Sequence, residues 1–334
     1  MNMTPQLLPS YNQNHHTGFK FQNDPNPPKY ESQNKVVSIK LWSRFVFAEY
    51  DVTVPLPVVN TKRYLTNDES IRVFWIGHST CLIKIRDKYI ITDPIFSNSC
   101  APIRFILRRV TPVPFQINDL PKISVVLISH DHYDHLDVET LFKLKSHSPN
   151  MIVFAPIGVS NFISALLGIK CVTFDWRQRL SYKGIDFFCF PARHGSSRSM
   201  IDGNTRLWCS WLIRYNNISI YFPGDTSVGP HFKEIKNTIG TVHLAMMPIA
   251  PQEPVDTMKA VHLDPSDAYD MSLEIDAQKV FPIHYGTFPL GTKPQVDDIQ
   301  LLKRVWKKNN LSILPVGGFM EWNGQEFVVG SFNE

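Results

Sequence analysis

The sequence predicts a layered α/β domain, with sheets inside and helices outside. Three observations carry this. Short apolar runs bounded by turn residues recur from Ile71 onward. Helical patterns are interspersed among them, mostly later in the chain. No segment repeats at a fixed period, and strand and helix alternate too irregularly for a (β/α)8 barrel.

Residues 1–35 are rich in Asn, Gln and Pro and lack apolar periodicity. They read as an extended or weakly ordered arm, in which His15 and His16 are merely solvated. Residues 36–334 read as the main domain. The stretch VVSIKLWSRFVFAEYDV (36–52) could form a short helix or strand, and its aromatic residues point to docking on that domain. IRVFWIG is a strand, and CLIKI and KYIITD are two more around Arg86-Asp87-Lys88. VVLIS is a short buried strand followed by the helical DVETLFKLKSH. MIVFAP is a strand. The helical NFISALLGI after it stops near Gly168. FFCFP, WLIRY, ISIYFP and KVFPIH are strands. In HLDPSDAYDMSLEI, Asp264 suits an N-cap and Pro265 the first helical position. VDDIQLLKRVWKK places Ile299, Leu302, Val305 and Trp306 on one helical face. GFMEWNGQEFVV is a hairpin turning at Asn323-Gly324.

Hydrophobic residues make up 43% of the 334, charged residues 19%, and the formal net charge is +4. That balance is ordinary for a soluble domain. Without a basic run it gives no reason to expect nucleic-acid binding. Cys81, Cys100, Cys171, Cys189 and Cys209 are scattered, with no CxxC pair. A disulfide framework is not expected, and a reducing, cytoplasmic location is. The N-terminus has no secretory pattern, and no run of about 18 apolar residues occurs to span a membrane.

The chemistry concentrates in SHDHYDHLD, residues 129–137. His130, His132, Asp134 and His135 follow directly on the VVLIS strand. Neutral imidazoles and carboxylates suit zinc, and also iron or manganese. Three further strands end in a residue of the same type: FFCFP leads to His194, ISIYFP to Asp225 and KVFPI to His284. Sites in layered α/β folds gather at the carboxyl ends of strands, so these groups can converge. Five histidines and two aspartates suffice for two ions if one carboxylate bridges. No Ser or Cys nucleophile motif competes with this reading.

The chain resembles the metallo-β-lactamase superfamily, whose HxHxDH signature is met by HDHYDH. WIGHSTCLIKI, ITDPIFS, SHDHYDHLD, PARHGSSR, LWCSWLI, FPGDTS, HLDPSDA and PIHYGTF follow in order. In that order it is similar to one branch, the N-acyl-phosphatidylethanolamine-hydrolysing phospholipase D enzymes and their bacterial relatives, over about residues 70–330. The resemblance implies an αββα sandwich with two divalent ions at one edge, most simply zinc. It implies that His130, His132 and His194 hold one ion, that Asp134, His135 and His284 hold the other, and that Asp225 bridges them. His262 matches a catalytic or substrate-polarising position, Asp93 matches an aspartate that orients ligand histidines, and His78 lies close by. The chain departs from the branch at Gly195, where an aromatic is usual. It also departs in IAPQEPVDTMKAVH before His262, which lacks the branch's tyrosine and arginine.

The expected reaction is hydrolysis of a phospholipid phosphodiester by hydroxide shared between two ions, with Asp134 orienting it and His262 assisting the leaving oxygen. A lactonase or other small-ester hydrolase is the rival enzyme. A metal-containing binding or scaffold protein is the rival without turnover. The alternation of basic and apolar groups in residues 101–115 raises peripheral membrane contact, with Arg104, Arg108 and Arg109 facing headgroups. The bland reading of that stretch is an ordinary lid or helix.

Overall fold

The computed structural model describes residues 3–8, 15–24, 55–291 and 296–332. The 35/36 boundary and the stretch 36–52 lie outside them. The arm supplies three two-residue strands, β1 (Gln6–Leu7), β2 (His16–Thr17) and β3 (Lys20–Phe21).

The first large sheet begins with β4 (Ile71–Gly77), β5 (Thr80–Ile85) and β6 (Lys88–Thr92), which form an antiparallel meander. It continues in parallel through β7 (Ile123–Leu127), β8 (Ile152–Pro156) and β9 (Cys171–Phe174). The second sheet is built the same way. β10 (Gln178–Tyr182), β11 (Ile185–Phe190), β12 (Ser210–Tyr215) and β13 (Ile218–Phe222) are antiparallel. β14 (Val242–Pro248) and β15 (Ala277–Ile283) then follow in parallel. The arm's β1 adds to its outer edge, against β10, and gives seven strands. The hairpin β16 (Phe319–Trp322) and β17 (Phe327–Val329) returns to pair with β4, completing eight strands in the first sheet.

Side chains alternate across a strand, and the first sheet uses both faces. Val73 and Trp75 of β4, Val125 and Leu127 of β7, and Phe154 of β8 join the core shared with the second sheet. Their neighbours Phe74, Ile76, Val126 and Val153 join a second core on the other face. That outer core is covered by α1 (Val138–His147) and α2 (Val159–Leu167). α3 (His231–Ile239), the short α4 (Val255–Met258), α5 (Pro265–Glu274) and α6 (Val296–Val305) belong to the other half of the chain. α5 packs on β14 and β15. Two buried sheets with helices outside are the αββα sandwich that the resemblance implied. A one-residue slip in any inner strand would exchange its two faces, so register is tightly specified.

The local stop and start signals act as read. Asp137 caps α1 by accepting from the Glu139 and Thr140 amides, and Asp264 caps α5 through Ser266 and Asp267. Gly168 closes α2 in the left-handed conformation. Among the described residues, no helix is long and apolar enough to cross a membrane.

Two expectations are corrected. His15 is not solvated: it is fully buried, packs its ring at a tilt against Trp176 and donates from Nε2 to Asp175 Oδ1 at 2.6 Å. His16 donates to the other oxygen at 3.1 Å. Burying the carboxylate beneath the arm requires such partners. Residues 101–115 contain no helix. Arg109 turns inward, donating to the carbonyls of Ile95 and Ser97 and stacking over Phe288, so it is unavailable to a headgroup.

Candidate metal centre

The structure brings all seven groups singled out in the sequence to one edge of the sandwich, at the carboxyl ends of strands from both sheets. His130, His132, Asp134 and His135 lie on the turn between β7 and α1, while His194, Asp225 and His284 follow β11, β13 and β15. His130 Nε2 is 2.9 Å from His132 Nδ1, and His194 Nε2 is 3.1 Å from the same atom. His135 Nε2 and His284 Nε2 are 3.1 Å apart, and each is 3.3 Å from Asp134 Oδ2. Two donor sets result, each close enough to hold one ion: His130, His132, His194 and Asp225, and His78, Asp134, His135 and His284.

Asp225 stands between the sets. Its Oδ2 is 3.2 Å from His135 Nε2, 3.7 Å from His194 Nε2 and 4.0 Å from His130 Nε2. Its Oδ1 is 3.1 Å from His284 Nε2. The backbone turn that delivers it depends on Gly224, at φ +62°. A β-carbon there would lie 2.5 Å from Ser129 Cβ and 3.3 Å from the Cys209 carbonyl. Gly224→Ala is therefore expected to destabilise the fold by roughly 2–4 kcal/mol, combining the left-handed cost with overpacking. A shift in the urea midpoint would measure it.

The far nitrogens of the rings fix their orientation. His194 Nδ1 donates to the Val261 carbonyl at 2.8 Å and His284 Nδ1 to the Ala250 carbonyl at 2.9 Å. His135 Nδ1 donates to Asp93 Oδ2 at 2.7 Å. His130 Nδ1 donates to Ser129 Oγ, whose own proton goes to Asp93 Oδ2 at 2.5 Å. Carbonyls and carboxylates only accept, so these four rings carry their protons outward and aim Nε2 lone pairs inward. Lone pairs and carboxylate oxygens facing one another in a buried space repel unless a cation lies among them. Asp225 Oδ1 and His262 Nδ1 are buried with no hydrogen-bond partner among the described residues. The donor set thus fits divalent ions.

The electrostatics show the same demand for positive charge. Burial pushes the Asp134 and Asp225 carboxyls up, but His135 and His284, with His78 at Asp134 and His262 at Asp225, hold both well below the usual range. Burial pushes His284 down, yet Asp225 and Asp134 outweigh it and raise it to about 9. His78, His194 and His262 are driven to about 3, chiefly by burial. The same two carboxylates push His135 up as well, so both rings sit where positive charge is favoured. Divalent ions would supply that charge.

The surrounding residues hold this arrangement. Asp93 also accepts the Ser129 amide at 2.7 Å and so ties the whole turn to the end of β6. His78, in the β4–β5 turn, donates from Nε2 to Asp134 Oδ2 at 2.9 Å. His262 places Nδ1 3.6 Å from Asp225 Oδ2, with 12% of its side chain exposed. Asp131 and Arg198 escaped sequence reading. Asp131 is fully buried, accepting the Ser197 amide and pairing with Arg206, while Arg198 donates to the Asp131 and Leu136 carbonyls and covers Tyr133. Together they fasten the 197–206 loop to the turn. Their signal in the sequence was slight: an acid between two histidines, and an arginine shortly after a third.

Fold and site together define a class. The beta-lactamase superfamily domain matches residues 88–285, and the chain belongs to the metallo-β-lactamase superfamily as a metal-dependent hydrolase. Within it, the N-acyl-phosphatidylethanolamine-hydrolyzing phospholipase D 1 of Caenorhabditis elegans is 32% identical over 249 residues, covering 71% of this chain and 70% of that one. Two solved structures show the shared fold. Igni18, a metallo hydrolase of Ignicoccus hospitalis, gives a TM-score of 0.58 at 17% identity, covering 77% of this chain and all of that one. CmlA, a diiron β-hydroxylase of Streptomyces venezuelae, gives 0.57 at 20%, covering 77% and 54%.

Proposed function

We propose that this protein is a binuclear metal-dependent phosphodiesterase of phospholipids, acting with phospholipase D regiochemistry. The observation that supports it is the shared carboxylate: Asp225 lies within 4.0 Å of histidines from both donor sets. In this reading His130, His132 and His194 hold one ion, Asp134, His135 and His284 hold the other, and Asp225 serves both. Divalent ions held by these residues would supply a water of lowered pKa and offset charge on phosphodiester oxygens. Asp134, steadied by His78, orients the attacking water. His262 keeps a buried Nδ1, 3.6 Å from Asp225 Oδ2 and without a hydrogen-bond partner among the described residues, while 12% of its side chain reaches the surface; this suits it to meet the leaving oxygen. The donors, imidazoles and carboxylates without thiolates, favour zinc, with iron and manganese compatible. The 32% identity to a phospholipase D supports the lipid substrate.

Peripheral membrane contact belongs to the same proposal. Met200 and Ile201 are 99% and 90% exposed on the loop fastened through Asp131, and Phe105 is 77% exposed on the loop whose Arg104 reaches Glu139 of α1. The first loop leans on the turn that carries the metal-ligand histidines, and the second on the first turn of α1 that follows it. Apolar tips beside the site would dip into a bilayer and bring the headgroup to the ions. Met200→Asp/Ile201→Asp is expected to reduce co-sedimentation with phosphatidylethanolamine vesicles and slow hydrolysis of vesicle lipid severalfold. Turnover of soluble bis(p-nitrophenyl) phosphate should be unchanged.

The deciding experiment combines metal analysis for zinc, iron and manganese with a substrate panel of phospholipid, bis(p-nitrophenyl) phosphate and a lactone. Two ions per chain and chelator-sensitive release of phosphatidate are expected. Lactone turnover without phosphodiester hydrolysis would overturn the substrate assignment. Two ions with no turnover of any ester would favour a binding protein.

A further inference from the structure

We infer that Asn23 of the N-terminal arm is a positioning residue of the metal centre, its carboxamide holding the backbone of His194 in place. The inference rests on the assignment of His194 as an ion ligand made above. His194 lies four residues past the end of β11, where the chain has left the sheet and has no strand neighbour to satisfy its peptide groups. Asn23 takes that place. The His194 amide donates to Asn23 Oδ1 at 3.1 Å, and the His194 carbonyl accepts from Asn23 Nδ2 at 2.9 Å. The same Oδ1 accepts from Trp208 Nε1 at 3.1 Å, which fixes the plane of the carboxamide. The side chain thus imitates the peptide group of an adjoining strand, with donor and acceptor side by side.

The imidazole is gripped separately, with Nδ1 on the Val261 carbonyl and Nε2 facing His132. Backbone and ring are each tied, which sets the direction of the inward lone pair. Pinning the arm does not require Asn23. Asp24 pairs with Arg177, which also binds Glu234; His15 and His16 bind Asp175; and the Phe21 amide donates to the Asn204 carbonyl. Both polar atoms of the Asn23 side chain are instead directed at His194 and at the tryptophan beside it.

The test compares full-length wild type with Asn23→Ala, Asn23→Asp and, as an arm control, His16→Ala, which loses a contact to Asp175 and none to His194. Each is loaded with zinc and dialysed against rising chelator concentrations. Ions per chain and the melting temperatures of the metal-free and zinc-loaded forms are measured. Asn23→Ala should lose one of two ions at chelator concentrations about 10- to 100-fold lower than wild type, the range for removing a group that orients a ligand. Its zinc-induced rise in melting temperature should shrink, while the metal-free value stays near that of wild type. Asn23→Asp, which keeps the acceptor and loses the donor, should fall between. His16→Ala should retain both ions. Wild-type chelator resistance in Asn23→Ala, equal losses of melting temperature with and without zinc, or an equal defect in His16→Ala would each overturn the inference. Wild type that binds none of zinc, iron and manganese would overturn the metal assignment itself, a distinct result.

Discussion

Asp225→Ala is expected to lower the ion content from two per chain to one or none and hydrolysis by about 10³-fold or more, on the order of 4 kcal/mol of barrier. The reason is positional. Asp225 Oδ2 faces His135, His130 and His194, and Oδ1 faces His284, so one side chain touches both donor sets. Losing it deprives each set of a donor. It also removes one of two buried negative charges balancing His135 and His284. Asp225→Asn keeps the shape and removes the charge, and should be nearly as impaired. Elemental analysis with initial rates on bis(p-nitrophenyl) phosphate checks both variants. Wild-type rates in either would remove Asp225, and with it the shared centre, from the mechanism.

His262→Ala should separate from that pattern. Both ions are expected to remain, because each four-residue donor set is complete without His262, although His262 also lies within reach of Asp225 and His284. The turnover number should fall by about 10²-fold or more, as for loss of a positioned acid or base. The fall should be smallest for substrates whose leaving group needs no proton, such as p-nitrophenolate, and largest for an alcohol leaving from a phospholipid. Burial drives this ring to about pKa 3 without ions. A neutral imidazole at working pH can therefore donate a hydrogen bond through one nitrogen only. Equal losses on both substrate types would show that His262 supports the site in some way other than assisting departure. Loss of an ion along with activity would show that it is itself a ligand.

What could be read from the sequence follows from how local each signal was. The strands that carry the donor groups were visible because they are doubly buried and nearly all apolar, as in VVLIS and ISIYFP. β10, QRLSY, was not legible because most of its side chains are exposed or half-buried and polar, and β9 is only partly buried. β14 was an apolar run and α3 had apolar residues at helical spacing, so both were legible and overlooked. The donor residues announced themselves by type and place at strand ends. The groups that orient them did not, because carbonyls of Val261 and Ala250 carry no side-chain signature and Asn23 lies 171 positions from the histidine it holds. The arm was misjudged for a related reason. His15 looks like any polar residue until Asp175, 160 positions away, folds beneath it.

The two sheets share one plan, antiparallel hairpins followed by parallel crossovers, and on the proposed assignment neither owns a complete ligand set. The first half of the chain brings His130, His132, Asp134 and His135, and the second brings His194, Asp225 and His284. Each ion would therefore be a cross-link between the halves, a rivet through the open edge of the sandwich. A hydrolytic centre built this way doubles as a fastening. Occupancy would raise resistance to unfolding by mass action. Under metal scarcity the edge where catalysis occurs would be the first part of the molecule to part.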